Sequence, residues 1–545
     1  MSIPIRCLQK VSTPLAALSI FACSPLSQQS SGASSAGAGG AIAQAGTNGV
    51  SGSAGTSAAA GSAGMANAGG SGGLGGSAGL GGGGSGGATY VEPPIPTGAF
   101  ITTPDLSQAL ASVPLNTGSA SGADAVVTLD TSMTFQAMTG FGASITDSSS
   151  YVLTKYLSAD ALNAALVKLF DPVNGVGLNF LRQPMGASDF SSVGNFSYDD
   201  GDADPMLSNF NLTQDLKATI PVLKQSLAIN PEIFILGTPW SPPAWMKNNH
   251  SMNGSGSTGG DPGLALTAYG PLAQYFVAYV QAYAKAGIRV NAVTPQNEPQ
   301  NGSATYPGMG LDAPSELSLI AQNMGPAFKS ANLSTMIWAY DHNWDHEEYP
   351  ETVIGDATAG SFVEGAAFHC YGGEASAMTT FHDKFPMKSI YMTECSGGDW
   401  QDDPWSNTIE LALSSIQNYA QAVVLWNMAL DENEGPRNNG CDGCRGIVTV
   451  NSQSGQVTYN VDYYALGHFS KFVRPGALRI ASQSSNGALH QVAFQNKSGQ
   501  LTLVAHNTSQ KALSVQIGQD ANAMNVSVPA GAALTVSWAP PSAAE

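Results

Sequence analysis

Short β-rich apolar runs alternate with stretches of helical periodicity between about residue 140 and residue 421. The runs are GFGASIT from Gly140, GLNFLRQ from Gly177, EIFILGT from Glu232, IRVNAVT from Ile288, STMIWAY from Ser334, EGAAFH from Glu364, KSIYMTE from Lys388 and QAVVLWN from Gln421. Between the third and fourth runs, Leu272, Phe276, Val277, Val280 and Tyr283 recur at the spacing of a helix packed on a sheet. Strands joined by helices predict a parallel sheet, and eight of them predict a closed (β/α)8 TIM barrel, assigned to residues 140–464. After Tyr464 the pattern becomes short alternating strands, LHQVAFQ, QLTLVAH and LSVQIG, with no helices between them. That pattern predicts an all-β sandwich over residues 465–545. The strand-like stretch VVTLDTSMTFQAM from Val126, in the segment 91–139, is expected to complete the same sandwich.

The amino-terminal region has a different pattern. Arg6 and Lys10 precede the apolar run Val11–Ala22, which is too short to span a bilayer and reads as an export signal within residues 1–23. Ile20-Phe21-Ala22-Cys23 resembles a bacterial lipoprotein box, so the expectation is lipidation of Cys23 and a cell-surface or outer-membrane lipoprotein, with ordinary secretion as the alternative. Residues 24–90 are read as a disordered linker, because Gly, Ser and Ala dominate from Ser30 to Ala88 and cannot bury enough apolar surface to offset ordering. Much of the chain's excess of glycine, 63 residues in all, lies in this segment.

Composition narrows the function classes. The chain of 545 residues has 20 Lys+Arg against 39 Asp+Glu, a formal net charge of −19, which argues against nucleic acid as a partner. The only membrane contact expected is the lipid anchor. Past the linker four cysteines remain, Cys370, Cys395, Cys441 and Cys444. In an exported chain a disulfide outranks a zinc site, and Cys441 and Cys444 have no second CxxC to complete one, so they read as a small loop closure. Whether Cys370 bonds Cys395 is open at this level.

A β/α barrel carries its chemistry at the carboxyl ends of its strands. Thr294-Pro295-Gln296-Asn297-Glu298-Pro299 follows the fourth predicted strand, and Tyr391-Met392-Thr393-Glu394-Cys395 ends the seventh. Glu298 and Glu394 would face each other across the barrel mouth, as double-displacement glycoside hydrolysis requires. One carboxylate must attack while the other protonates the leaving group, so their surroundings must separate their pKa values. Glu394, at the tip of a buried strand, reads as nucleophile. Glu298 reads as acid/base, with Asn297 beside it for a sugar 2-hydroxyl. Either glutamate alone would read as a solvated loop carboxylate.

Eight stretches in order resemble glycoside hydrolase family 30, whose members include glucosylceramidases and endo-β-1,6-glucanases. They are GFGASITDSSS from Gly140, NFLRQPMGASDFS from Asn179, TPWSPPAWMKNN from Thr238, VTPQNEP from Val293, AFHCYGG from Ala367, YMTEC from Tyr391, VVLWNMALDENEGP from Val423 and YYALGHFSKFVRPGALRI from Tyr463. The resemblance covers roughly residues 126–538. It implies Glu298 as acid/base and Glu394 as nucleophile, Arg182 as the arginine that keeps the nucleophile ionised, and Asp189 as a sugar-hydroxyl acceptor. It also implies Trp240 and Trp426 as aromatic walls of the glucosyl subsite. His369 and Tyr371 flank Cys370 where the family has His-Trp-Tyr, and Tyr371 is expected to hydrogen-bond the nucleophile. Asp341 and His342, ending the fifth strand, either line the pocket or form a local turn network.

The function implied is a retaining β-glycosidase that needs no metal or other cofactor and acts on a carbohydrate substrate: a β-glucan, a β-glucoside or a glycolipid. Two alternatives stand beside it: another specificity of the same family, such as xylanase, and a non-catalytic surface carbohydrate-binding lipoprotein. Glu298, Glu394, Arg182 and Asn297 together argue against the second.

Overall fold

The computed structural model describes residues 92–118, 122–256, 263–519 and 522–539. The export segment, Cys23 and the Gly-rich linker lie outside the described residues.

Eight parallel strands close into a barrel: β1 (Gly140–Ser144), β2 (Phe180–Pro184), β3 (Phe234–Thr238), β4 (Ala292–Val293), β5 (Met336–Asn343), β6 (Val363–His369), β7 (Ser389–Glu394) and β8 (Ala422–Leu425). Pairing of β8 with β1 completes the closure. Each strand overlaps one of the eight predicted runs. Almost every strand position is buried, because helices cover the outside and side chains fill the inside, so the runs read as continuous rather than alternating. The helix Tyr269–Lys285 after β3 buries Leu272, Phe276, Val277, Val280 and Tyr283.

Inside the barrel, Phe180, Leu236, Ala292, Trp338, Tyr391 and Val424 pack as a cluster of their own. Phe180 stacks on Phe234 at 4.9 Å between centroids, and Trp338 stacks on Tyr391 at 3.5 Å. Side chains alternate along a strand, so Arg182, Thr294 and Thr393, two residues beyond Phe180, Ala292 and Tyr391, form the next layer toward the mouth. All three are fully buried. Gly142 lets β1 approach β2: a Cβ there would lie 1.7 Å from the Phe180 carbonyl oxygen.

The sandwich uses chain from both sides of the barrel. Ala125–Ala137 pairs antiparallel with Leu478–Ser484, and Gly98–Thr102 pairs antiparallel with Ala533–Trp538. Its core includes Ile101, Val127, Ile480, Leu503, Val515 and Leu534. The changeover expected after Tyr464 falls inside a helix, Val461–Ser470, and the first later sandwich strand is Leu478–Ser484. That helix belongs to the barrel, with Phe469 stacked on Phe141 of β1 at 5.4 Å. It is buried from Ala465 to Ser470 without a polar face, so it lacks the amphipathic stripe by which a surface helix is read.

Candidate active site

Two β-bulges shape the mouth. Along β5 and β6, Ala367 pairs with Tyr340 and Phe368 with His342, so Asp341 is an extra residue on β5. Along β6 and β7, Phe368 pairs with Met392 and His369 with Glu394, so Thr393 is an extra residue on β7. A bulge re-aims side chains at the strand end. Here the two extra residues meet, with the Thr393 hydroxyl donating to Asp341 Oδ1 at 2.6 Å. Tyr340 and Asp341 adopt φ of 78° and 76°, and Glu298 a φ of 44°, the left-handed region that non-glycine residues seldom occupy. The Glu298 backbone N–H donates to the Asp341 carbonyl at 3.0 Å, linking the strained turn after β4 to the β5 bulge.

Asp341 is the hub beneath the site. Besides Thr393 it accepts from Arg182 Nη2 at 2.8 Å and from the Thr294 hydroxyl at 2.8 Å, and His369 Nε2 lies 3.0 Å from it. Its partners come from four other strands or their ends, so it is neither a local turn residue nor a group facing the cavity. Arg182 also donates to Glu394 Oε2 at 2.5 Å and to Asn297 Oδ1 at 2.6 Å. The Tyr371 hydroxyl donates to Glu394 Oε1 at 2.9 Å. Glu298 receives Asn301 Nδ2 at 2.7 Å on one oxygen and lies 3.3 Å from His369 Nδ1 through the other. Glu298, Glu394 and His369 each place one ligand-type atom within 4.8 Å of the others. Such a trio could hold a cation only if His369 gave up the proton that its carboxylate neighbours stabilise.

The charges of this cluster set its protonation. Burial pushes the Asp341 carboxyl up, but Arg182 and His369 outweigh it and hold the group well below the usual carboxylate range. Burial pushes His369 down, yet Glu394 and Asp341 beside it raise it to about 9. Glu298 is drawn down to about 2: burial opposes this, and the hydrogen bond and charge of His369 win. Glu394 is shifted upward by burial, against the pull of His369 and Arg182. The separation therefore runs opposite to the simple expectation of an ionised Glu394 and a protonated Glu298. The cause is His369, whose Nδ1 lies 3.3 Å from Glu298 and whose upward shift favours an imidazolium beside an ionised carboxylate. Burial lowers His342 to about 4, and burial with repulsion from Glu394 and Glu298 raises Asp189.

Above the cluster opens a cavity of about 660 Å³ lined by Asp189, Trp240, Asn297, Glu298, His342, Tyr371, Glu394 and Trp426 among others. Trp240 and Trp426 are buried and stacked 4.9 Å apart, with the Arg182 guanidinium 4.7 Å from the Trp240 ring centre. Asp189 presents a buried Oδ1 without a hydrogen-bond partner among the described residues. Thus the cavity gathers every catalytic and sugar-binding residue named from sequence except Arg182, Asp341 and His369, which support it from below. Cys370 and Cys395 form a disulfide joining the ends of β6 and β7, and a second links Cys441 to Cys444 on the cavity rim. Sequence reasoning missed Thr294, Thr393, Asn301, Tyr306 and Trp400. The two threonines stand inside the quoted motifs, where their side chains signal only β propensity until the bulges aim them at Asp341.

Residues 138–473 match the glycosyl hydrolase family 30 TIM-barrel domain, and residues 476–536 match the beta sandwich domain of the same family. The chain belongs to glycoside hydrolase family 30. It is a β-glycosidase with that family's two-domain build. Family 30 relatives include an endo-1,6-β-D-glucanase of Neurospora crassa, 39% identical over 357 residues, or 64% of this chain and 73% of that one. The endo-1,6-β-D-glucanase BGN16.3 of Trichoderma harzianum is 37% identical, over 68% of this chain and 78% of its own. The mouse lysosomal acid glucosylceramidase is 30% identical, over 73% of this chain and 80% of its own. Among solved structures, an endo-β1,6-glucanase superposes with a TM-score of 0.75 at 31% identity, over 81% of this chain and 99% of that one.

Proposed function

We propose that this chain hydrolyses β-1,6-linked glucan by double displacement, with Glu394 as nucleophile and Glu298 as acid/base. The carrying observation is that the Glu298 and Glu394 carboxylates bring oxygens within 4.8 Å of each other. Inverting enzymes need a water between their carboxylates and hold them roughly 6.5–9.5 Å apart, whereas retaining enzymes hold them at about 5–5.5 Å. Arg182 and Tyr371 fix Glu394 for in-line attack on the anomeric carbon. As the leaving oxygen departs it takes, through Glu298, the proton that His369 Nδ1 passes to that carboxylate, and the imidazole, now neutral, keeps its Nε2 proton on Asp341. Glu298, now ionised, then activates the water that releases the sugar. Asp189 Oδ1 is free to accept a sugar hydroxyl, and Trp240 and Trp426 offer faces on which the ring can stack.

The β-1,6-glucan reading rests on the relatives of 37–39% identity and the solved glucanase; the glucosylceramidases align at 28–32%. The test is proton NMR of the sugar first released from β-1,6-glucan, with glucosylceramide assayed alongside. The β-anomer is expected to appear first, and Glu394→Gln to lose about 10³-fold or more in kcat. Release of the α-anomer first would overturn the mechanism. Cleavage of the lipid but not the glucan would overturn the substrate.

A further inference from the structure

Besides the two buried tryptophans, Trp240 and Trp426, the cavity carries a third at its open rim. Trp400 lines the cavity yet is 55% exposed, whereas Trp240 and Trp426 are 3% exposed each. It stands on the loop after β7, six residues beyond Glu394 in the chain. An exposed indole keeps a large apolar surface in water, and here it is held there by a built support. Gly397 and Gly398 pair antiparallel with Arg445 and Cys444, and Asp399 N–H donates to the Gly443 carbonyl at 2.9 Å. Gln401 Oε1 accepts from Gly398 N–H at 3.2 Å and from Arg445 Nη2 at 3.1 Å. Arg445 in turn donates to the buried Asp462 at 2.6 Å, and the Cys441–Cys444 disulfide closes the facing loop. The indole rests against the Gly398 backbone, where a Cβ would lie 2.2 Å from its ring.

We propose that Trp400 is the platform for the glucosyl unit on the leaving-group side of the cleaved bond. The inference rests on the β-1,6-glucan reading, because that leaving group is a sugar with an apolar ring face. A β-1,6 bond also joins the leaving sugar through its C6, adding a rotatable C5–C6 bond between ring and reacting oxygen. A rigid platform at the rim removes that freedom before reaction, so that the leaving oxygen meets Glu298 in register.

The experiment compares the full-length protein with Trp400→Ala and Trp400→Phe on three substrates. β-Glucosyl fluoride occupies only the buried unit; the fluoride of the β-1,6-linked glucose disaccharide adds one sugar on the other side of the bond; β-1,6-glucan adds the leaving sugar. In Trp400→Ala, kcat/KM for the glucan relative to the disaccharide fluoride is expected to fall roughly tenfold, with Trp400→Phe retaining most of it. A ratio that does not move overturns the platform, as does a loss confined to the disaccharide fluoride relative to the glucosyl fluoride, which would put Trp400 on the opposite side. If the parent cleaves both fluorides but not the glucan, the substrate reading itself fails and the platform with it. If it cleaves the glucan and the ratio is unmoved, only the platform fails. Equal melting temperatures of the three proteins keep a folding defect from imitating either result.

Discussion

Asp341 shows how one buried charge sets the state of several others. It is fully buried, and its two oxygens take Arg182, Thr294, His369 and Thr393. Every one of these partners is a donor, so an amide at this position would turn an NH2 group toward donors. Asp341→Asn is therefore expected to cost about 3–5 kcal/mol of stability, the usual result of leaving a buried charge uncompensated. His369 loses one of the carboxylates that raise it to about 9, so its pKa falls. The alkaline limb of the kcat/KM profile should then move to lower pH. Urea denaturation and the pH profile of the variant check both statements; an unchanged profile would separate His369 from the proton supply to Glu298.

At the level of elements, the site depends on where β6 and β7 end. His369, Cys370 and Tyr371 are consecutive, as are Glu394 and Cys395, so the Cys370–Cys395 disulfide ties Tyr371 to the nucleophile it touches. It closes a segment of 25 residues in sequence separation, for which the chain-entropy account gives roughly 3 kcal/mol. Replacing both cysteines by serine is expected to lower the melting temperature. It should also reduce turnover of β-glucosyl fluoride about tenfold, because the Tyr371 hydroxyl is no longer held against Glu394. Calorimetry and steady-state rates read the two effects, and full turnover with a lowered melting temperature would leave the bond a purely structural role. Asp341 and Thr393 illustrate what was not legible here. The motifs around them mark the strand ends, but a bulge is a relation between two strands and leaves no trace in either one alone.

For the whole molecule, barrel and sandwich are joined by a buried histidine. His468, on the barrel's last helix, lies between Thr535 and Thr102 of the sandwich, with each ring nitrogen 2.8 Å from a hydroxyl. Burial lowers it to about 3 from an ordinary value of 6.5. Above pH 6.5 the folded and unfolded chains both hold it neutral and it contributes no pH dependence. As pH falls from 6.5 toward 3, the unfolded chain takes up a proton that the folded chain refuses, so stability declines by up to about 1.4 kcal/mol per pH unit. In His468→Gln that contribution vanishes. Denaturant midpoints of parent and variant between pH 7 and pH 4 should show the parent falling more steeply; parallel curves would contradict the assignment.

Glu298 and Glu394 were legible because each sits at the end of an apolar run, and a closed barrel brings strand ends to one rim whatever the loops do, whereas Arg182, Trp240 and Trp426 were legible only through the family resemblance of the stretches that hold them. The eight strands were legible for a related reason: burial on both faces demands unbroken apolar residues, which is a local property. What only the tertiary structure decided depends on distances between segments far apart in the chain. These include the pairing of Cys370 with Cys395, the bulges that turn Asp341 and Thr393 toward each other, and the imidazole that draws the proton away from Glu298. The pKa order of the two carboxylates belongs with them, because a charge acts through the space around it and not along the chain.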